Sequence, residues 1–455
     1  MRILSMESET QVNAPANESK VSENTDQNND PLPKEVETVN AGHEDETAEN
    51  NFTTANNLTP EPLVVPSPAL EANDTDGFKY WLAQMSLFNF IVICILTFNV
   101  ITLGLTVSAL YVLIKLAVNY ADAVYSGLFY LANYVEVDFT FGFFFRALLI
   151  VLVVNYVYYW FEDTGAEEYG GHRIPAMRRL KLWNFLATYF PVRLVLSREL
   201  IEYSKTHVKS PHTQLSGCGF MGLPADKNYL VGYHPHGMIC AGAAVNFLSE
   251  ATGFSSVFPN LQPTLAVLKF LFSIPFFRDL ILASGCTAAT EKGMLYLLDP
   301  AVCGRTGNFV VVVIGGAPEV LESWPGHYGL YLKSRYGFFR LALQTGSALI
   351  PTISFGETNI FDSVTEQPDS YVRRFQKWAC NTMTKPFPMF YGNGFLPYRT
   401  PINTVIGPPI ECEKVENPTR AQVEEVKTQY IESLKDLFKK YRPLYDPKAS
   451  DLEFI

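Results

Sequence analysis

Between Lys79 and Lys115 the chain has no Asp, Glu, Lys or Arg, a gap of 35 residues in a protein of 455. About 20 apolar residues cross a bilayer core, so this stretch is long enough to span one. The chain also lacks a charged start followed by an apolar run, which argues against a secretory signal. Its seven cysteines contain no C-x-x-C pair, which argues against a disulfide framework or a zinc site and suggests a reducing compartment. There is no Gly-x-Ser-x-Gly elbow and no Walker loop, and no G-x-G-x-x-G is expected to follow a strand. These absences remove the usual hydrolase and nucleotide-binding readings. None of the histidines has an Asp five residues later, so the H-x4-D pattern of glycerolipid acyltransferases is missing.

Charge is scarce in the body and concentrated in a tail. Residues 1–76 carry 16 acidic residues against Arg2, Lys20 and Lys34, a net of −13 within a total of −11. The remainder is close to neutral and has no clustered basic face, so nucleic acid is not an expected partner. The tail is rich in Asn, Glu and Thr and poor in aromatics, and is read as a disordered acidic segment. Residues 77–165 are read as a transmembrane or re-entrant hairpin, its second arm running from Phe139 to Phe161 with only Arg146 charged. Basic residues follow (Arg173, Arg178, Arg179, Lys181), which places the C-terminal body on the cytosolic side.

Residues 166–455 are expected to form an α/β domain with a mainly parallel sheet flanked by helices. Three apolar runs read as buried parallel strands: Tyr229–Tyr233, Phe309–Ile314 and Ala348–Phe355. Each ends in glycine or polar residues. Near the C-terminus, Thr419 is a plausible N-cap for a helix whose stripe of Val423, Val426, Tyr430, Leu434, Leu437 and Tyr441 suggests a packing role.

The strand ends carry the candidate chemistry. His234-Pro235-His236-Gly237 places two imidazoles where a strand hands over to a helix, the usual position of α/β active sites. An imidazole is a suitable base near neutral pH, and amides opening the next helix could hold an oxyanion or phosphate. Taken alone, the pair also fits a metal site or a structural turn. Glu319 follows Gly315-Gly316-Ala317-Pro318 and could orient an imidazolium or complement a helix N-terminus. Arg335, beside Gly337 and Phe338 and flanked by Lys333 and Arg340, suits the phosphates of a ligand such as coenzyme A or a solvated helix face.

Together these segments resemble the type-2 diacylglycerol acyltransferase family, which includes monoacylglycerol and wax-alcohol acyltransferases. The resemblance rests on Tyr189-Phe190-Pro191, His234-Pro235-His236-Gly237, Gly315–Glu319 and the block from Arg335 to Pro351, in that order. It covers roughly residues 78–445 and leaves the acidic tail aside. It implies a multi-pass endoplasmic-reticulum enzyme, also found on lipid droplets, that makes triacylglycerol from acyl-CoA and diacylglycerol. No metal or bound cofactor is implied; acyl-CoA is a co-substrate. The resemblance gives His234 and His236 the catalytic role with Glu319 as partner, His236 being the first choice for the base. Gly237, Gly315, Gly316, Arg335, Gly337 and Phe338 are the expected substrate-binding residues. Monoacylglycerol or a long-chain alcohol is the alternative acceptor, and a non-catalytic lipid-droplet protein the alternative class. Self-association into a homo-oligomer is left open.

Overall fold

The structure is a computed structural model that describes residues 62–71, 115, 141–208, 219–363, 370–383, 389–394 and 396–455. Twelve strands are present among them: β1 (Leu63–Val64), β2 (Val192–Leu196), β3 (Tyr229–His234), β4 (Gln262–Val267), β5 (Cys286–Ala288), β6 (Asn308–Val313), β7 (Gly329–Leu330), β8 (Ala348–Phe355), β9 (Asp362–Ser363), β10 (Phe390–Tyr391), β11 (Ile402–Ile406) and β12 (Glu453–Phe454). Eight of them form one sheet in the order β1-β2-β11-β8-β3-β6-β4-β5. β8, β3, β6, β4 and β5 run parallel, whereas β11 is antiparallel to β8 and β1 to β2. The sheet is therefore mixed, with a parallel half.

The three strands expected from their apolar runs are neighbours at its centre, in the order β8-β3-β6. Their continuous hydrophobicity follows from burial on both faces. Along β3, Leu230 joins a cluster that includes Phe338, Phe339, Tyr430 and Leu434. Tyr229, Val231 and Tyr233 alternate to the other face, among Phe247, Phe254, Phe258 and Phe309. The helix Arg420–Tyr445 covers the first face and begins with a full capping box between Thr419 and Gln422. The helix Ala241–Leu248 covers the second.

One boundary changes. The acidic tail assigned to 1–76 includes ordered chain at 62–71: β1 pairs with the edge strand β2, and Val65 and Ala69 are buried. Leu63-Val64-Val65 is a short apolar run that an average over the polar tail conceals. The rest of that tail and the first arm of the hairpin, apart from Lys115, lie outside the described residues.

The second arm forms the helix Phe141–Glu162. Five consecutive side chains on it, Ile150 to Val154, are exposed. At 3.6 residues per turn they point in every direction around the axis. Tyr156 ties this helix to the body by stacking on Phe276, with ring centroids 4.3 Å apart, and by a 2.7 Å hydrogen bond to Asp279. Among the described residues no helix is long and apolar enough to cross a membrane.

Candidate active site

Three turns meet at the carboxyl ends of β8, β3 and β6. The parallel register sets Tyr233 opposite Val313 and His234 opposite Ile353, so the segments that leave these strands emerge side by side. They are His234–Gly237 from β3, Gly315–Glu319 from β6 and Gly356-Glu357 from β8.

Strand alternation sends His234 and Tyr233 to opposite faces. His234 is 0 % exposed, and its Nε2 lies 3.1 Å from the hydroxyl of Tyr430. That hydroxyl donates to the Gly232 carbonyl at 3.2 Å. It must therefore accept from Nε2–H, which leaves Nδ1 of His234 as the unprotonated nitrogen, buried and without a partner. A Cβ at Gly232 would fall 2.0 Å from the Tyr430 hydroxyl, so glycine makes this contact sterically possible.

His236 is partly exposed. Its Nδ1 lies 3.1 Å from the Gly237 carbonyl and 3.2 Å from Sγ of Cys240. A carbonyl can only accept, so Nδ1 carries the proton and Nε2 the lone pair. The Cys240 thiol donates to the His236 carbonyl at 3.0 Å. Burial pushes both imidazoles below the usual histidine value, His234 to about 3 and His236 to about 4. Both are neutral at physiological pH.

Glu319 is buried and accepts two main-chain hydrogen bonds, from His236 N–H at 2.5 Å and from Tyr331 N–H at 3.1 Å. Burial raises its carboxyl to about 7, opposed by those two bonds and by the charge of Arg335. The expected partnership with an imidazole is therefore corrected: Glu319 holds the backbone of the histidine turn. A Cβ on Gly315 would lie 1.8 Å from Oε2 of Glu319, so Gly315 leaves room for the carboxylate. Gly316 is the N-cap of the short helix Ala317–Leu321.

Arg335 also changes role. It is buried, and its guanidinium donates to the Gly315 carbonyl at 2.8 Å, placing a cation in the Glu319 clamp where an exposed phosphate arm was expected. Gly337 opens the helix Tyr336–Thr345. Phe338 is buried edge-on to the Tyr430 ring, with centroids 5.8 Å apart. The amides opening helix Ala241–Leu248 are not all free for an oxyanion, because Gly242 N–H donates to Glu357 at 2.9 Å. Glu357 also accepts from the Tyr233 hydroxyl at 2.9 Å, and burial raises its carboxyl to about 7. Gly237 backs directly onto Glu357.

Tyr430, Glu357, Tyr233 and Cys240 were not anticipated as site residues. Glu357 carried a signal, since it closely follows a buried strand just as Glu319 does; Tyr430 was hidden in an apolar stripe. Gly217–Gly222 has the dinucleotide-binding spacing, but its described part, from Gly219, lies in a loop ahead of β3 and opens no helix. Among the described residues no group of three His, Cys, Asp or Glu side chains could hold a metal ion.

A strand-end histidine pair with defined tautomers, one ring enclosed and one partly exposed, braced by two carboxylates, describes a site for acid–base chemistry on a parallel sheet. The family described as Diacylglycerol acyltransferase matches residues 214–455, just over half of the chain. Diacylglycerol O-acyltransferase 2 of Danio rerio is 36 % identical over 313 residues, covering 67 % of this chain and 80 % of that protein. Acyl-CoA wax alcohol acyltransferase 2 of Homo sapiens is 35 % identical over 302 residues, covering 64 % and 83 %. Diacylglycerol O-acyltransferase 2B of Umbelopsis ramanniana is 35 % identical over 309 residues, covering 66 % and 80 %. The chain belongs to the diacylglycerol acyltransferase family and is an acyltransferase.

Proposed function

We propose that this acyltransferase moves an acyl group from acyl-CoA to the free hydroxyl of diacylglycerol, with His236 as the base. The observation that carries the proposal is the His236 tautomer: Nδ1–H is engaged by Gly237, and the bare Nε2 belongs to the partly exposed ring of the pair. Nε2 takes the hydroxyl proton as the oxygen attacks the thioester carbonyl. The C–S bond then breaks, and the CoA thiolate leaves with the proton returned by the imidazolium. Main-chain N–H groups of Gly237 or of Gly315-Gly316 take the developing oxyanion. His234 is enclosed and acts as a positioning residue for the turn. No step requires a metal or resident cofactor.

The acceptor is tested by supplying membranes carrying the protein with labelled acyl-CoA and, separately, diacylglycerol, monoacylglycerol or a long-chain alcohol. Triacylglycerol as the main product is expected; wax ester as the main product would overturn the diacylglycerol assignment. The wax-alcohol reading has its own support, because a relative with that name is within one percentage point of the Danio rerio protein in identity. The proposed location is the endoplasmic-reticulum membrane and lipid-droplet surface, with the C-terminal body in the cytosol. The all-round apolar exposure of Ile150–Val154 supports a lipid setting. Protease added to sealed microsomes should digest that body, and its protection would reverse the topology.

A further inference from the structure

The helix Tyr371–Met383 has its polarity inverted. Helices that pack on a soluble body normally bury an apolar stripe and expose charge. Here the face turned to the protein carries Arg373, 2 % exposed and paired with Glu322 at 2.7 Å, together with the buried Gln376. The face turned outward carries Tyr371 at 89 %, Phe375 at 60 % and Trp378 at 55 % exposure, with Val372 beside them. These residues recur at i, i+4 and i+7, one continuous stripe. Arg374 is exposed beside this stripe, whereas Lys377, also exposed, lies toward the protein side and pairs with Glu322 at 3.5 Å.

We propose that this stripe inserts into the lipid surface from which the enzyme draws its acceptor. An interfacial helix has this composition, with aromatics that enter the acyl boundary and a long cation, here Arg374, that reaches headgroup phosphates. A lipid phase is favoured over a protein groove because the same chain exposes apolar side chains all around Ile150–Val154. A one-sided partner cannot cover that arrangement, whereas hydrocarbon can. Met389 and Tyr391, further along the chain at the short strand β10, are exposed apolar side chains as well.

The placement also bears on the site. Arg373 holds the helix to Glu322, which caps the short helix Ala317–Leu321 that carries Glu319. The lipid-facing stripe is thus bolted to the element that clamps the histidine turn. This inference deepens the acyl-transfer reading by assigning the surface that delivers the lipid acceptor.

The test uses the full chain in phosphatidylcholine vesicles containing an anionic lipid, with the acyl chains brominated or not. The fluorescence lost on changing Trp378→Phe isolates the emission of that indole. Bromination should quench this component; a component equally bright in both vesicles would overturn the proposal. In unbrominated vesicles, the double variant Phe375→Ser/Trp378→Ser should raise the apparent KM for diacylglycerol on the order of tenfold. The KM for acyl-CoA should stay unchanged, and Trp378→Phe should retain the wild-type acceptor KM. An unaltered acceptor KM in the double variant would equally overturn the proposal. Quenching does not depend on turnover, so failure of the surface and failure of the acyl-transfer reading are distinguishable.

Discussion

Replacing Gly315 by Ala, a change of one methyl group, should break the site without touching a histidine. The new Cβ would fall 1.8 Å from Oε2 of Glu319, a separation no non-bonded pair of atoms tolerates, so the carboxylate must leave its position. Two buried main-chain donors, His236 N–H and Tyr331 N–H, then lose their acceptor. A buried donor left unpaired costs about 1–3 kcal/mol, so the two together cost about 2–6 kcal/mol. Part of that loss appears as displacement of the histidine turn, and a misplacement near 1 Å lowers turnover on the order of a hundredfold. Glu319→Ala removes the same clamp and should match Gly315→Ala in thermal stability and in kcat/KM. The double variant should be no worse than either single one. Glu319→Gln keeps one acceptor for His236 N–H and should be milder than Ala. A fully active and stable Gly315→Ala, or strictly additive losses in the double variant, would refute this reasoning.

Other consequences are as direct. Tyr430→Phe leaves His234 Nε2–H without its acceptor and should cost about 1–3 kcal/mol in chemical denaturation; unchanged stability would remove Tyr430 from the site. Because His236 is held neutral down to about pH 4, the acid limb of kcat/KM should lie well below 6.5, and a limb at 6.5 would contradict the assignment. The raised Glu357 carboxyl gives stability that is present at low pH and lost as pH rises through about 7, while the depressed His234 gives stability that is lost as pH falls below 6.5. These effects oppose each other between pH 4.5 and 6.5. Glu357→Gln should therefore steepen the fall in melting temperature on acidification through that window, and an unchanged slope would argue against the buried carboxyl.

The centre of the fold was legible because β3, β6 and β8 are buried on both faces, which produces uninterrupted apolar runs. The edges were less legible. β1 is two residues inside a polar tail, and β5 is three residues long, too short for a period to register. The C-terminal helix announced itself through Thr419 and its stripe, yet the stripe could not reveal that one member, Tyr430, carries a hydroxyl to a histidine 196 residues away. Glu319 was recognised as a site residue but given the wrong contact. Side-chain type suggests what a carboxylate can bond, whereas the approach of two neighbouring turns decides that it bonds a backbone N–H. Arg335 shows the same limit: a cation in a basic stretch resembles a solvated arm until the fold buries it against Gly315.

The central claim is that the bare Nε2 of His236 accepts the proton of the lipid hydroxyl. It is tested most directly by comparing His236→Ala, His234→Ala and wild-type protein in vesicles supplied with labelled acyl-CoA and diacylglycerol, scoring triacylglycerol formed per enzyme. Loss of a positioned base predicts a fall of roughly 10²–10⁴-fold for His236→Ala. Wild-type turnover by His236→Ala would contradict the claim.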